Sequence, residues 1–167
     1  ESLSGPIIDW GGSATYTPHI GSAIRSANQS VVMLTNDTIA DYYASYGMYT
    51  THSNVDVDCQ GFSIKPTNGG DTNQRGLWVY DTNVDIHDCV FDNFYDAITV
   101  ITNGISINVY NNSFIGANQH RGINIDDGDN GYIQHNNFSG SFSADAIYFD
   151  ANSAGNDFWG NIFMDDK

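Results

Sequence analysis

The chain has 167 residues and a formal net charge of −15, with 20 Asp plus Glu against five Lys plus Arg, and it carries nine Phe, ten Tyr and three Trp. That balance argues against nucleic acid and anionic membrane as partners, since both are held by basic patches, and no apolar run approaches the roughly 20 residues of a membrane-inserted helix. The length suits one domain with a sizeable core, and the acidity suits a soluble secreted surface that attracts cations.

Residues 1–16 read as an extended segment, in which Glu1 to Trp10 mix apolar and polar residues and Gly11-Gly12-Ser13 follow as a hinge. The start at Glu1, without Met or an apolar signal region, fits removal of a signal peptide, with a trimmed chain as the alternative. Thr17 to Asn28 is expected to form a short helix: Thr17-Pro18 suit the N-cap and first helical position, and Ile20, Ala23, Ile24 and Ala27 share one face. The strand Val31-Val32-Met33-Leu34 comes next, then a polar turn from Thr35 to Thr38.

From there the sequence repeats. Phe62, Phe91, Phe114, Phe138 and Phe163 recur at spacings of 29, 23, 24 and 25 residues, the length of one coil in a stack. Five positions before each stand Val57, Ile86, Val109, Ile133 and Phe158, and seven before stand Val55, Val84, Ile107, Gly131 and Asn156. Apolar residues two apart mark a strand with one buried face. Two positions before each Phe come Gln60, Cys89, Asn112, Asn136 and Asn161, whose last three form an Asn column expected at a bend, where Asn tolerates unusual dihedrals and can hydrogen-bond along the stack. A second register runs through Met48, Leu77, Ile98, Ile123 and Ile147, each preceded by Gly or Ala and followed two residues later by Thr50, Val79, Val100, Ile125 or Phe149. Each repeat has room for two or three short strands and none for a helix, so residues 17–167 are expected to form an all-β parallel β-helix domain, a solenoid of about five coils.

A short helix and an apolar strand ahead of such coils resemble the pectate-lyase-like superfamily of right-handed parallel β-helices, over roughly residues 17–163. The resemblance implies a single-stranded right-handed winding whose first coil is capped by the N-terminal helix. It extends to fold pattern and to no catalytic signature, and fold alone does not settle function. Of the motifs used by polygalacturonase-like members, Asn-Thr-Asp, Gly-His-Gly and Arg-Ile-Lys are absent, and only Asp126-Asp127 supplies a paired carboxylate. Lyase-like members need Asp ligands for Ca²⁺ and an Arg or Lys base, whereas these coils offer little beyond Lys65, Arg75 and Arg121.

Several residues carry chemistry in this pattern. Cys59 and Cys89 lie in successive coils, one position out of phase, close enough for a disulfide at a strand spacing of ~4.8 Å; two buried thiols are the alternative. Asp126, Asp127 and Asp129 crowd a Gly-containing turn after a strand, where Ca²⁺ would suit, although a solvated acidic turn has the same composition and no cofactor is required. For acid–base catalysis the best set is Asp126, Asp127 and Asp150, with Asp126 and Asp150 spaced to stack on each other and His120 and Arg121 nearby. Asp56 and Asp85 share an outward column and repel unless a cation, a bend or solvent relieves them. Sequons at Asn28, Asn36, Asn111 and Asn137 are compatible with glycosylation. Trp78 and Tyr148 occupy an outward column and could stack on sugars or on protein.

The ends suggest a role. After Phe163 only Met164 to Lys167 remain, so the last coil, with Phe158 and Phe163, is expected to stay open. Ile7, Ile8 and Trp10 could complete that coil in a neighbouring copy by strand addition, or could fold back on their own first coil. The expectation is therefore an extracellular structural subunit of a surface filament or cell-surface layer, polymerising with itself head to tail, with glycans as further partners. The alternatives are a small polysaccharide-acting lyase or glycoside hydrolase and a carbohydrate-binding adhesin module.

Overall fold

The computed structural model describes residues 7–9, 31–33, 38–40, 46–50, 53–66, 74–101, 104–117 and 119–164, with backbone alone before Thr50. The expected helix at 17–28, together with Trp10, Asn28 and Asn36, lies outside them. The described residues form a parallel β-solenoid of about four turns, against the five coils expected, and three parallel sheets run its length. Sheet 1 has seven strands in the order Ile7–Asp9, Val31–Met33, Val55–Asp58, Val84–His87, Ile107–Tyr110, Tyr132–Gln134 and Asp157–Trp159. Sheet 2 has six: Thr38–Ala40, Ser63–Pro66, Val90–Asp92, Ser113–Ile115, Asn137–Phe138 and Ile162–Phe163. Sheet 3 has five: Tyr46–Thr50, Arg75–Val79, Asp96–Val100, Arg121–Ile125 and Ile147–Phe149. A two-stranded pair, Gly104–Ile105 with Gly128–Asp129, lies between sheets 3 and 1 along the chain.

Period-2 alternation sets which face is buried. Along Val55–Asp58, Val84–His87 and Ile107–Tyr110, alternate residues are buried, and Val57, Ile86, Val109, Ile133 and Phe158 stand in register from strand to strand. In sheet 3 Met48, Leu77, Ile98, Ile123 and Ile147 stand in register in the same way. In sheet 2 the rings of Phe91, Phe114, Phe138 and Phe163 stack at centroid distances of 5.3, 4.6 and 5.0 Å. Phe91, Phe114 and Phe138 are fully buried, each contributing ~1.5–3 kcal/mol from removal of apolar surface from water.

Phe62 does not belong to that column. Ile64 pairs with Phe91, because four residues separate Asp58 from Ser63 where only two separate His87 from Val90. The extra pair, Gln60 and Gly61, bulges outward with φ of 51° and 83°, so the first Phe is displaced by two positions and packs only partly buried against the core.

The corners depend on left-handed backbone. Asn54, Asn83, Ser106 and Asn130 enter sheet 1 with φ of 54–60°, and Asp88, Asn111 and His135 leave it with φ of 53–55°. Asn and Asp adopt this conformation with little cost, which accounts for much of the chain's Asn content. The Asn column expected at these bends sits one residue beyond them, and Asn112, Asn136 and Asn161 are absent from the left-handed set. The hydrogen bonding expected along the stack is present, as a ladder in which Asn112 and Asn136 are buried. Asn136 Nδ2 donates to Val109 O and Asn161 Oδ1, while Asn136 Oδ1 accepts from Asn112 N and Nδ2. At the lower end Asn112 Oδ1 accepts from Cys89 N.

Where the ladder stops, a disulfide takes over: Cys59 is bonded to Cys89 across adjacent turns, with Cα atoms 4.6 Å apart. The bridge joins residues 30 apart in sequence, a loop whose closure in the unfolded chain is worth ~3–4 kcal/mol. Reduction, or Cys59→Ala with Cys89→Ala, is expected to lower the urea midpoint accordingly; an unchanged midpoint would show that the two turns hold without the bridge.

Candidate assembly face

The strands Ile147–Phe149, Asp157–Trp159 and Ile162–Phe163 are each the last in their sheet and pair on one side only among the described residues. The columns continue into them without a change of residue type, yet burial collapses. Ile133 is 3% exposed and its successor Phe158 48%; Phe138 is 1% exposed and its successor Phe163 51%. Phe149, Trp159, Ile162 and Met164 are exposed as well. A cavity of about 400 Å³ opens among Ala146, Ile147, Phe149, Phe158 and Phe163. Among the described residues this turn is a cross-section of the core with three adjacent strand edges, a combination that template-pairing exploits.

At the opposite end, Ile7–Asp9 takes the second of its two expected courses. It pairs in parallel with Val31–Met33 of the same chain, with Ile7 opposite Val31 and Ile8 opposite Val32. It is therefore not a detached donor strand. It forms the outer edge of sheet 1, at the other end from Asp157–Trp159.

Among the described residues, no three of Asp126, Asp127, Asp129 and Asp150 have ligating atoms that converge. Asp126 and Asp150 do stack, since Ile125 pairs with Phe149 just before them. The Asp150 carboxylate, however, accepts from Asn152 N at 2.9 Å and Ser153 Oγ at 3.2 Å, and so builds its own turn. Asp129 is drawn into the two-stranded pair, and its carboxylate accepts from Ala154 N at 2.6 Å. Among the described residues, the one group of three side chains whose ligating atoms converge is elsewhere, at Asp58, His87 and Asp88.

Trp78 and Tyr148 share the outward column of sheet 3 with Thr99 and Asn124. The Arg75 guanidinium lies 4.6 Å from the Trp78 ring centroid and that of Arg121 4.1 Å from the Tyr148 ring, so the chain's own cations occupy these rings. Between the two arginines Asp96 is buried, meeting Arg75 Nε at 3.7 Å and His120 Nδ1 at 3.0 Å, while His120 stacks on Tyr95. This is an ion-paired, self-stacked face. Of the described sequons, Asn111 is exposed at a corner, whereas Asn137 lies in a strand with its Oδ1 buried.

On sheet 1 the stacked Asp56 and Asp85 are relieved by hydrogen bonds: His87 Nε2 contacts Asp56 Oδ1 at 2.9 Å, and Asn108 Nδ2 donates to Asp85 Oδ1 at 2.7 Å. Burial pulls the His87 pKa down, but hydrogen bonds to Asp88 and Asp56 and the charges of Asp56 and Asp58 outweigh it, so the imidazole titrates above its ordinary value. Tyr110, stacked on His87, is pushed up to about 12 by burial and by the charges of Asp85 and Asp56. Burial and Asp85 raise Tyr132 also.

No protein-family model, curated protein or solved structure matches the chain.

Proposed function

We propose that the chain is a structural subunit that stacks end to end on copies of itself, as part of an extracellular filament or surface layer. The observation that carries this is the contrast between Ile133 or Phe138, buried in mid-stack, and Phe158 or Phe163, half exposed in the same columns on the last described turn. A second copy is the occupant that fits, because sheet 1 offers complementary edges of one parallel ladder, Ile7–Asp9 at one end and Asp157–Trp159 at the other. Joining those two edges repeats the same parallel pairing across the junction. Such a contact is heterologous and propagates instead of closing. The N-terminal strand acts in this scheme as a fixed edge.

Right-handed winding of the pectate-lyase-like kind accords with the strong preference of parallel crossovers for that hand. The Cys59–Cys89 disulfide supports an oxidising location outside the cytoplasm. The enzymatic alternative rests on Asp126, Asp127 and Asp150, of which Asp150 builds its own turn, and the sugar-binding one on Trp78 and Tyr148, each with a guanidinium of the chain over one face of its ring. Sedimentation velocity over about a hundredfold range of concentration tests the proposal: mass is expected to grow in multiples of the 18.3 kDa chain, and a single monomer boundary throughout would overturn it.

A further inference from the structure

Two Asp-Cys pairs, Asp58-Cys59 and Asp88-Cys89, lie on adjacent turns, and the disulfide draws together the residues that precede its two halves. Between them stands His87, directly opposite Asp58 in the parallel ladder. Its Nδ1 lies 2.7 Å from Asp88 Oδ2 and 3.8 Å from Asp58 Oδ1, and its side chain is only 15% exposed. The ligating atoms of Asp58, His87 and Asp88 all lie within 4.8 Å of one another, and Asp58 Oδ1 also accepts from Gln60 N at 2.9 Å, so an ion held by one imidazole and two carboxylates would need only small shifts of Asp58 and Asp88.

The other ring nitrogen completes the arrangement. Nε2 meets Asp56 Oδ1 at 2.9 Å. With an Nε2–H donated to that carboxylate, an ion that displaces the proton shared by Nδ1 and Asp88 Oδ2 meets an Nδ1 lone pair directed at Asp58 and Asp88. A carboxylate that fixes the tautomer from behind is the usual support of a metal-bound imidazole. Tyr110, stacked on the ring at 4.8 Å with planes 9° apart, fixes its orientation. A cavity of about 430 Å³ lined by Gln60, Gly61, Asp88 and Asn111 gives room beside Asp88 for the water that would complete the shell.

We propose that Asp58, His87 and Asp88 form a binding site for a divalent transition-metal ion, matched best to Zn²⁺, with Asp56 positioning the imidazole. One imidazole and two carboxylates suit Zn²⁺, while an all-oxygen shell of six to eight ligands, as Ca²⁺ requires, is not on offer. The site clamps adjacent turns at the point where the Asn ladder ends.

Isothermal titration of the chelator-stripped full chain with ZnCl₂ tests this, with CaCl₂ as the control ion. One Zn²⁺ per chain is expected. His87→Ala should weaken binding by a hundredfold or more, and Asp56→Asn by 10–100-fold. Asp85→Asn, one column position away, should leave it unchanged. X-ray absorption on the Zn²⁺-loaded wild-type chain, which needs no variant to fold, should show one imidazole in a shell of oxygen ligands. Absence of binding, equal binding by His87→Ala, or an all-oxygen shell would each overturn the proposal.

Discussion

Replacing Asn136 by Ala is expected to cost about 3–5 kcal/mol of folding free energy, more than any exposed substitution in the stack. The side chain makes four hydrogen bonds: it donates to Val109 O and Asn161 Oδ1 and accepts from Asn112 N and Asn112 Nδ2. Asn136 itself is fully buried, and so is Asn112. Truncation therefore leaves the buried Asn112 N–H and Asn112 Nδ2 without their shared acceptor, at ~1–3 kcal/mol each, in addition to the void. Asn111→Gly is the matched control, since that neighbour is exposed at φ 55° and Gly accepts the same backbone at little cost. Urea unfolding of both variants reads the difference directly. A loss below about 1 kcal/mol for Asn136→Ala would mean that the ladder is not what holds the corner.

The double substitution Phe158→Asp and Ile162→Asp is expected to leave the fold standing and to abolish end-to-end association. Both side chains are about half exposed in the single chain, so the isolated turns lose little. At a junction between copies both would be covered. Each then forgoes ~1 kcal/mol of apolar burial and also places a carboxylate in a dry interface. The concentration needed for assembly should rise at least a hundredfold, which corresponds to ~2.7 kcal/mol. Circular dichroism checks that the sheets persist, and light scattering reads the association. Unaltered assembly by the double variant would place the contact somewhere other than the final turn.

Much of the fold is legible in the sequence because a solenoid writes each column as a period. The columns from Val57 to Phe158 and from Met48 to Ile147 stand in register as their spacing predicts. Phe62 misleads because the eye follows residue type, while the backbone follows pairing; the Gln60-Gly61 bulge moves Ile64 into the place of the Phe. The Asn column and its hydrogen bonding along the stack are legible, and only the unusual dihedrals are misplaced. Its members act through buried side-chain hydrogen bonds, and the left-handed backbone belongs to the residue before each of them. The acidic turn at Asp126 to Asp129 is dense in charge, yet density along the sequence does not make side chains converge, and the Asp129 carboxylate turns to Ala154 N. His87 shares no column with another His and so gave no periodic signal. The repeated Asp-Cys dipeptide, with His87 just before its second copy, was the cue in reach.

Electron microscopy of the purified chain, with the axial repeat measured, tests end-to-end stacking most directly. Sheet 1 contributes seven strands among the described residues, so with strands ~4.8 Å apart a continuous ladder of these strands through the junction predicts unbranched fibres with an axial repeat of ~34 Å. Monomers at every concentration, or fibres whose repeat is set by the width of the solenoid instead of the length of sheet 1, would contradict it.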